Sequence, residues 1–282
     1  MELRQTGPYP YVPITQRPRL VWPAGARVAL WVIPNVEVFT LNEVGSTIPD
    51  VPAFAEHEYG ARVGVFRLMD TLSRYDVRGT AALNSEVCEA YPHIIDTAKQ
   101  LHWEFMGHNQ SNTRRLNQIP PEDERWTIRD SLATIHQATG TRPVGWLGSG
   151  LQETWNTLDY LAQENVQYVA DWVNDDQPYR MTIKDKTVVS LPYSLQINDK
   201  PAFERHHRSA DEFQTMICRQ FDVLYREGAS SGRVMAIALH PYIIGVPHRI
   251  GALDAALSYI VAHEGVWLAT GEEIVKYFLT HF

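Results

Sequence analysis

Cysteine is nearly missing from this 282-residue chain: Cys88 and Cys218 stand alone, far apart and outside any Cys-x-x-Cys pair. Neither a disulfide framework nor a thiolate zinc site is supported, and both read as reduced core thiols. Long apolar runs are missing too, none approaching the roughly 20 residues that span a bilayer. The first residues lead into Pro- and Tyr-rich sequence instead of an apolar signal segment, so a cytoplasmic location is expected. Positive charge is in deficit, with 25 Lys and Arg against 33 Asp and Glu and a net charge of -8. That balance argues against nucleic acid or an anionic membrane surface as partner and suits a small neutral or polar substrate. No Gly/Ser-rich linker, charge block or repeat divides the chain, so residues 1–282 are expected to form a single domain.

What is present is alternation. Residues 1–23 carry Pro8, Pro10, Pro13, Pro18 and Pro23, each fixing φ and removing a donor, which predicts an extended arm laid over a surface. Such an arm, with apolar positions near Trp22, makes a homo-oligomer the expectation. Short apolar runs at 27–33, 80–83, 103–106, 144–147, 167–170, 187–191, 234–239 and 266–269 read as buried strands. Between them, helical periodicity appears at 60–75, 92–101, 121–138, 157–164, 209–227, 250–263 and from 271 onward. Strand-then-helix order implies an α/β fold with a mostly parallel sheet, and a site beyond the carboxyl ends of its strands.

The polar residues following those strands are therefore the candidates: Asn35 and Glu37; Asn84, Ser85 and Glu86; His108 to Asn112; Asp171 to Asp176; and His240. They are expected on one rim. Carboxylates and imidazoles there suit general acid–base work, because burial and neighbours move their pKa values toward neutrality. The bland readings stand beside this one. Glu37 could pair with Arg62, Asp171, Asp175 and Asp176 could form a solvated turn, and Arg114 and Arg115 could be surface charges.

Several segments in this order resemble the polysaccharide deacetylase family, and most closely its allantoinase and cyclic-imide hydrolase branch. They are Asn35-Val36-Glu37, Tyr59-Gly60-Ala61-Arg62-Val63-Gly64, Gly107-His108, Thr139-Gly140-Thr141-Arg142-Pro143, Asp171-Trp172-Val173-Asn174-Asp175-Asp176 and Leu239-His240-Pro241. The resemblance implies a distorted (β/α) barrel with fewer than the usual eight strands. In the metal-using members it also implies an Asp and two His as ligands, a neighbouring Asp as base and a late His as acid. By that match Ile33 replaces the base, Asn35 the metal Asp and Asn112 the second His, while His108 and His240 remain, and Leu147 stands where those members have Arg. An Asn amide is a poor substitute for a zinc donor, so no metal and no other cofactor is expected, although His57, His206 and His207 could rebuild a site.

The branch shares the Asn-x-Glu pattern and is associated with metal-free hydrolysis. The resemblance thus implies Glu37 as base, with its pKa raised toward neutrality, and His240 or His108 as acid. Asn35, Asn112, Arg115, Trp172 and Asp175 are the substrate-binding candidates, Trp172 as a pocket wall. The expected reaction opens a non-peptide C–N bond in a cyclic amide, imide or ureide such as allantoin. The alternatives are a zinc-dependent N-deacetylase or deformylase, and a pseudoenzyme that only binds a metabolite.

Overall fold

The computed structural model describes residues 7–42 and 46–282. The first half runs β1 (Val28–Val36), α1 (Val51–Tyr59), a π-turn (Gly60–Gly64), α2 (Val65–Ser73), β2 (Thr80–Leu83), α3 (Val87–Ala90), α4 (Pro92–Gln100), β3 (Glu104–Gly107) and α5 (Pro121–Thr139). The second half runs β4 (Gly145–Trp146), α6 (Thr157–Gln163), β5 (Tyr168–Val169), β6 (Tyr179–Ile183), β7 (Lys186–Ser190) and α7 (Ala210–Gly228). It finishes with β8 (Arg233–Leu239), α8 (Pro241–Ile244), α9 (Pro247–Val261), β9 (Val266–Leu268) and α10 (Gly271–His281). Among these residues no helix is long and apolar enough to cross a membrane.

The strands form one curled sheet in the order β6-β7-β5-β4-β3-β2-β1-β8, with β9 beside the first half of β1. All pairings are parallel except the β6–β7 hairpin. This is the distorted, mostly parallel barrel expected, but its sheet has nine described strands where fewer than eight were expected, and irregular backbone spans its gap. Near the start of β8, Val234 N donates to Asp176 O at 2.9 Å; near its end, Asn198 forms a bridge with Ala238.

The period of two along each strand decides what faces the barrel interior. In β1, Ala29, Trp31 and Ile33 belong to the inner core while Val28, Leu30 and Val32 pack under the helices. In β8, Val234, Ala236 and Ala238 point inward, as does Met106 in β3. Continuing each alternation keeps Asn35 near the end of β1 on the inward side and brings Glu37, His108 and His240 to it just past the strand ends. A sheet buried on both faces thus delivers three polar residues to one place without any local sequence motif.

Three features depart from the sequence reading. Helix α1 occupies what reads as loop, because its residues alternate weakly and none is fully buried; Asp50 caps it by accepting from Ala53 N at 3.1 Å. The helix predicted at 60–75 begins as a π-turn, a distortion common at functional sites. Here it follows from contact with the segment after His240: a Cβ on Gly64 would lie 2.0 Å from Pro241 O, so only glycine permits the approach. Strand β6 was not anticipated either; it is an antiparallel edge, following Pro178, with only Met181 and Ile183 buried.

Candidate active site

Glu37, His108 and His240 meet at the barrel mouth. Glu37 Oε1 lies 3.3 Å from His108 Nε2 and 3.8 Å from His240 Nε2, with side-chain exposures of 4%, 2% and 6%. Each imidazole is held from behind. His108 Nδ1 donates to Leu147 O at 2.6 Å, and His240 Nδ1 lies 2.7 Å from Asp199 Oδ1 while its backbone N donates to Asp199 Oδ2 at 2.7 Å. Both rings therefore carry a proton on Nδ1 and turn Nε2 toward Glu37, since the second-nitrogen contact fixes the tautomer. The other oxygen of Glu37, Oε2, is buried and meets no donor among the described residues. A buried carboxylate oxygen left open is costly, and it is the natural acceptor for a proton from a water bound there.

The electrostatics reverse one expectation. Burial alone pushes the Glu37 carboxyl up, but His240 and His108, with Lys200 beyond, outweigh it and hold its pKa below the ordinary 4.5. Burial likewise pulls His240 down, yet Asp199 and Glu37 prevail and lift it above 6.5. The rise toward neutrality expected for Glu37 is thus corrected: desolvation is the largest influence, but the imidazoles win. Each group thus favours the charged form of the other.

Asp199 is the partner that sequence reasoning missed. It lies 41 residues before His240, in a loop whose course no local pattern predicts, and the Asn198–Ala238 bridge brings it alongside. A polar run, Asn198-Asp199-Lys200, was its only signal. Lys200 Nζ donates to Tyr242 OH at 2.6 Å, and the Tyr242 ring meets His240 edge-on at 5.8 Å. His57 lines the crevice beside Glu37 with Gly60, Ala61 and Tyr91, stacked on Phe39. His206 and His207 are exposed. Arg62 pairs with Glu58 instead of Glu37.

The other candidates divide. Asn35 Nδ2 is committed to Ile33 O, Leu239 O and Tyr193 OH, so it ties the ends of β1 and β8 together and presents no spare donor. Asn112 sits beside the Glu37 loop, its N bonded to Val38 O at 3.1 Å and its Oδ1 unpartnered. The Arg115 guanidinium lies against Gly150 on the turn after β4. Trp172 donates to Glu153 Oε1 at 3.1 Å and packs edge-on to Tyr9 of the arm. Asp175 leaves the rim: Arg17 grips its carboxylate at 2.7 Å, and its neighbours Asp176 and Gln177 bond Val234 and Gly232 at the entry to β8. That is about 20 Å along the strand from His240, at 3.3 Å per residue, so its placement is that of an arm tether. With Tyr9, Pro18 and Phe278 it lines a groove of about 680 Å³ that does not reach Glu37.

The metal ligands that the resemblance implies for metal-using polysaccharide deacetylases are not reproduced here. Ile33 is apolar and fully buried, the Asn35 amide is engaged, and among the described residues no group of three His, Cys, Asp or Glu side chains is arranged around an ion.

No family model matches the chain. A Schizosaccharomyces pombe protein bearing the name of a polysaccharide deacetylase is 29% identical over 240 residues, covering 78% of this chain and 73% of its own. Among solved structures, a Pseudomonas aeruginosa PAO1 protein described as a probable polysaccharide deacetylase superposes with a TM-score of 0.87 at 27% identity, over 97% of this chain and 99% of that one. PuuE allantoinase gives the same TM-score of 0.87 at 26% identity, over 97% and 98%. By these likenesses the chain is similar to polysaccharide deacetylases and to PuuE allantoinase, and it has the curled, mostly parallel barrel of that fold.

Proposed function

We propose that this protein hydrolyses a non-peptide C–N bond without a metal, and that its substrate is a cyclic amide, imide or ureide of the allantoin kind. The observation that carries the reading is the open Oε2 of an ionised Glu37, set between two imidazoles whose tautomers are fixed. A water placed there gives a proton to Glu37 as its oxygen bonds to the substrate carbonyl carbon. The resulting oxyanion is held by amide donors, with Asn112 a side-chain candidate. The C–N bond then breaks as His240, protonated at Nε2 and braced by Asp199, gives its proton to the leaving nitrogen. The products are a carboxylic acid and the freed nitrogen group of the opened ring. The PuuE allantoinase neighbour supports the choice of substrate class.

The name of the fission yeast relative favours a second reading, removal of an N-acyl group. Turnover assays on allantoin, hydantoin, succinimide, phthalimide and N-acetyl sugars, each with and without a chelator, separate the two. Ring opening that survives chelation supports the proposal. Deacetylation that is abolished by the chelator and restored by zinc replaces it, and binding without turnover across the whole panel ends it.

A further inference from the structure

Tyr193, on the irregular segment after β7, takes no part in the proposed chemistry, yet its hydroxyl is the meeting point of several buried polar side chains. It lies 3.3 Å from Asn35 Nδ2, 3.4 Å from Asn35 Oδ1 and 3.4 Å from Asn198 Nδ2. Tyr193, Asn35, Asn198 and Asp199 are all buried, so their protons have to find acceptors inside the protein.

The directions of these bonds follow from the groups at either end. Asn35 Nδ2 has two protons, and the carbonyls of Ile33 and Leu239, at 3.2 and 3.3 Å, can only accept. Both protons go there, which leaves the Tyr193 hydroxyl to donate to Asn35 Oδ1. Asn198 is oriented from its other side: its Oδ1 accepts from Lys200 N at 3.1 Å, so Nδ2 is the end that donates to Tyr193. Asn198 and Lys200 flank Asp199, whose two oxygens take the His240 backbone and Nδ1 protons at 2.7 Å. Leu239, where the chain of bonds begins, directly precedes His240, so the chain closes on itself.

We propose that Tyr193 is a positioning residue: its hydroxyl closes a ring of neutral hydrogen bonds that holds Asp199 in line with His240. Each bond to the hydroxyl is long and weak by itself. The ring fixes direction because no member can turn away without leaving another buried group unpaired. Such support is needed because the segment carrying Asp199 joins β8 through a single bridge, Asn198 with Ala238, and a bond from Ala238 N to Ile197 O at 3.0 Å. The ring adds a second attachment, to β1 through Asn35. It also accounts for an amide at position 35, since a carboxylate there could not donate to Leu239 O.

The inference rests on the reading of His240 as the acid, but its first test needs no substrate. Tyr193→Phe removes the hydroxyl and keeps the aromatic ring. In proton NMR of isotope-labelled protein, the His240 Nδ1 proton, identified by its loss in His240→Gln, should be a protected downfield signal in the wild type. In Tyr193→Phe it should exchange with water roughly 10-fold faster. The Trp22 Nε1 proton, bonded to Arg233 O at 2.9 Å at the start of β8, should keep its wild-type rate. Asn198→Ala should speed the His240 exchange in the same way, and combining it with Tyr193→Phe should add nothing, because one missing member already opens the ring. On any substrate the protein turns over, Tyr193→Phe should lower kcat roughly 10-fold with KM unchanged, as a misplaced acid is felt only in the transition state. A wild-type protein without a protected His240 proton, a wild-type exchange rate in folded Tyr193→Phe or Asn198→Ala, or a double variant whose effects add would each overturn the proposal, whatever the outcome of the turnover assays.

Discussion

Glu37 and Glu104 are buried acids at opposite ends of the same sheet, and their surroundings differ in kind. Glu104, at the entry to β3, is met by neutral donors: Tyr168 OH at 2.6 Å, Thr80 Oγ1 at 2.9 Å and the Glu272 amide at 3.0 Å. Burial prevails there and its pKa rises above 4.5. Glu37, past the exit of β1, has ionisable partners, one oxygen with no donor, and a pKa that falls. The first arrangement stitches β2, β3, β5 and the start of α10 together. The second leaves a charged acceptor open, as a carboxylate meant to take a proton requires. Burial alone does not mark a site; the identity of the partners does.

Substitution at each end tests that contrast. Glu37→Gln should lower kcat by roughly 10³-fold or more, as loss of a general base alone is worth about 10² to 10⁴. Asp199→Asn keeps the shape but weakens the support for His240. It should cost about 10²-fold in kcat with little change in KM, and lower the pH at which the alkaline limb of the rate profile falls. Glu104→Gln should leave kcat unchanged and lower stability by about 1–3 kcal/mol, because a donor now faces donors; calorimetry measures it. A Glu104 variant inactive at full stability would erase the distinction.

The smallest expected effect is on the pH dependence of stability. The Glu37 carboxyl, lowered by folding, contributes stability that is present above 4.5 and lost as pH falls through its folded value. His240, raised by folding, contributes stability that is present below 6.5 and lost as pH rises through its folded value. The pair therefore stabilises most between those limits, and His240→Gln should flatten the thermal-denaturation profile across them. A profile of unchanged shape would contradict the ion pair.

Much of the fold was legible because strands buried on both faces announce themselves as short apolar runs, and eight of the nine strands among the described residues were anticipated. Residues two positions past an inward-facing Ile33, Met106 or Ala238 could be placed at the mouth on that alternation alone. Asp199, Lys200 and Tyr193 were not legible, since they come from irregular backbone whose position depends on closing the gap beside β8. The same cause misplaced Asp175: it follows a strand in sequence, but the chain turns toward the arm, where Arg17 binds it. The direction of the Glu37 pKa was misjudged because burial could be foreseen and the two imidazoles at contact distance could not.

The most direct test of the central claim is turnover of the cyclic amide panel by chelator-treated wild-type protein beside chelator-treated Glu37→Gln. Ring opening that persists without metal in the wild type and falls by roughly 10³-fold in the variant is the predicted result. Activity that vanishes on chelation and returns with zinc, or a Glu37→Gln enzyme that turns over at the wild-type rate, would contradict it.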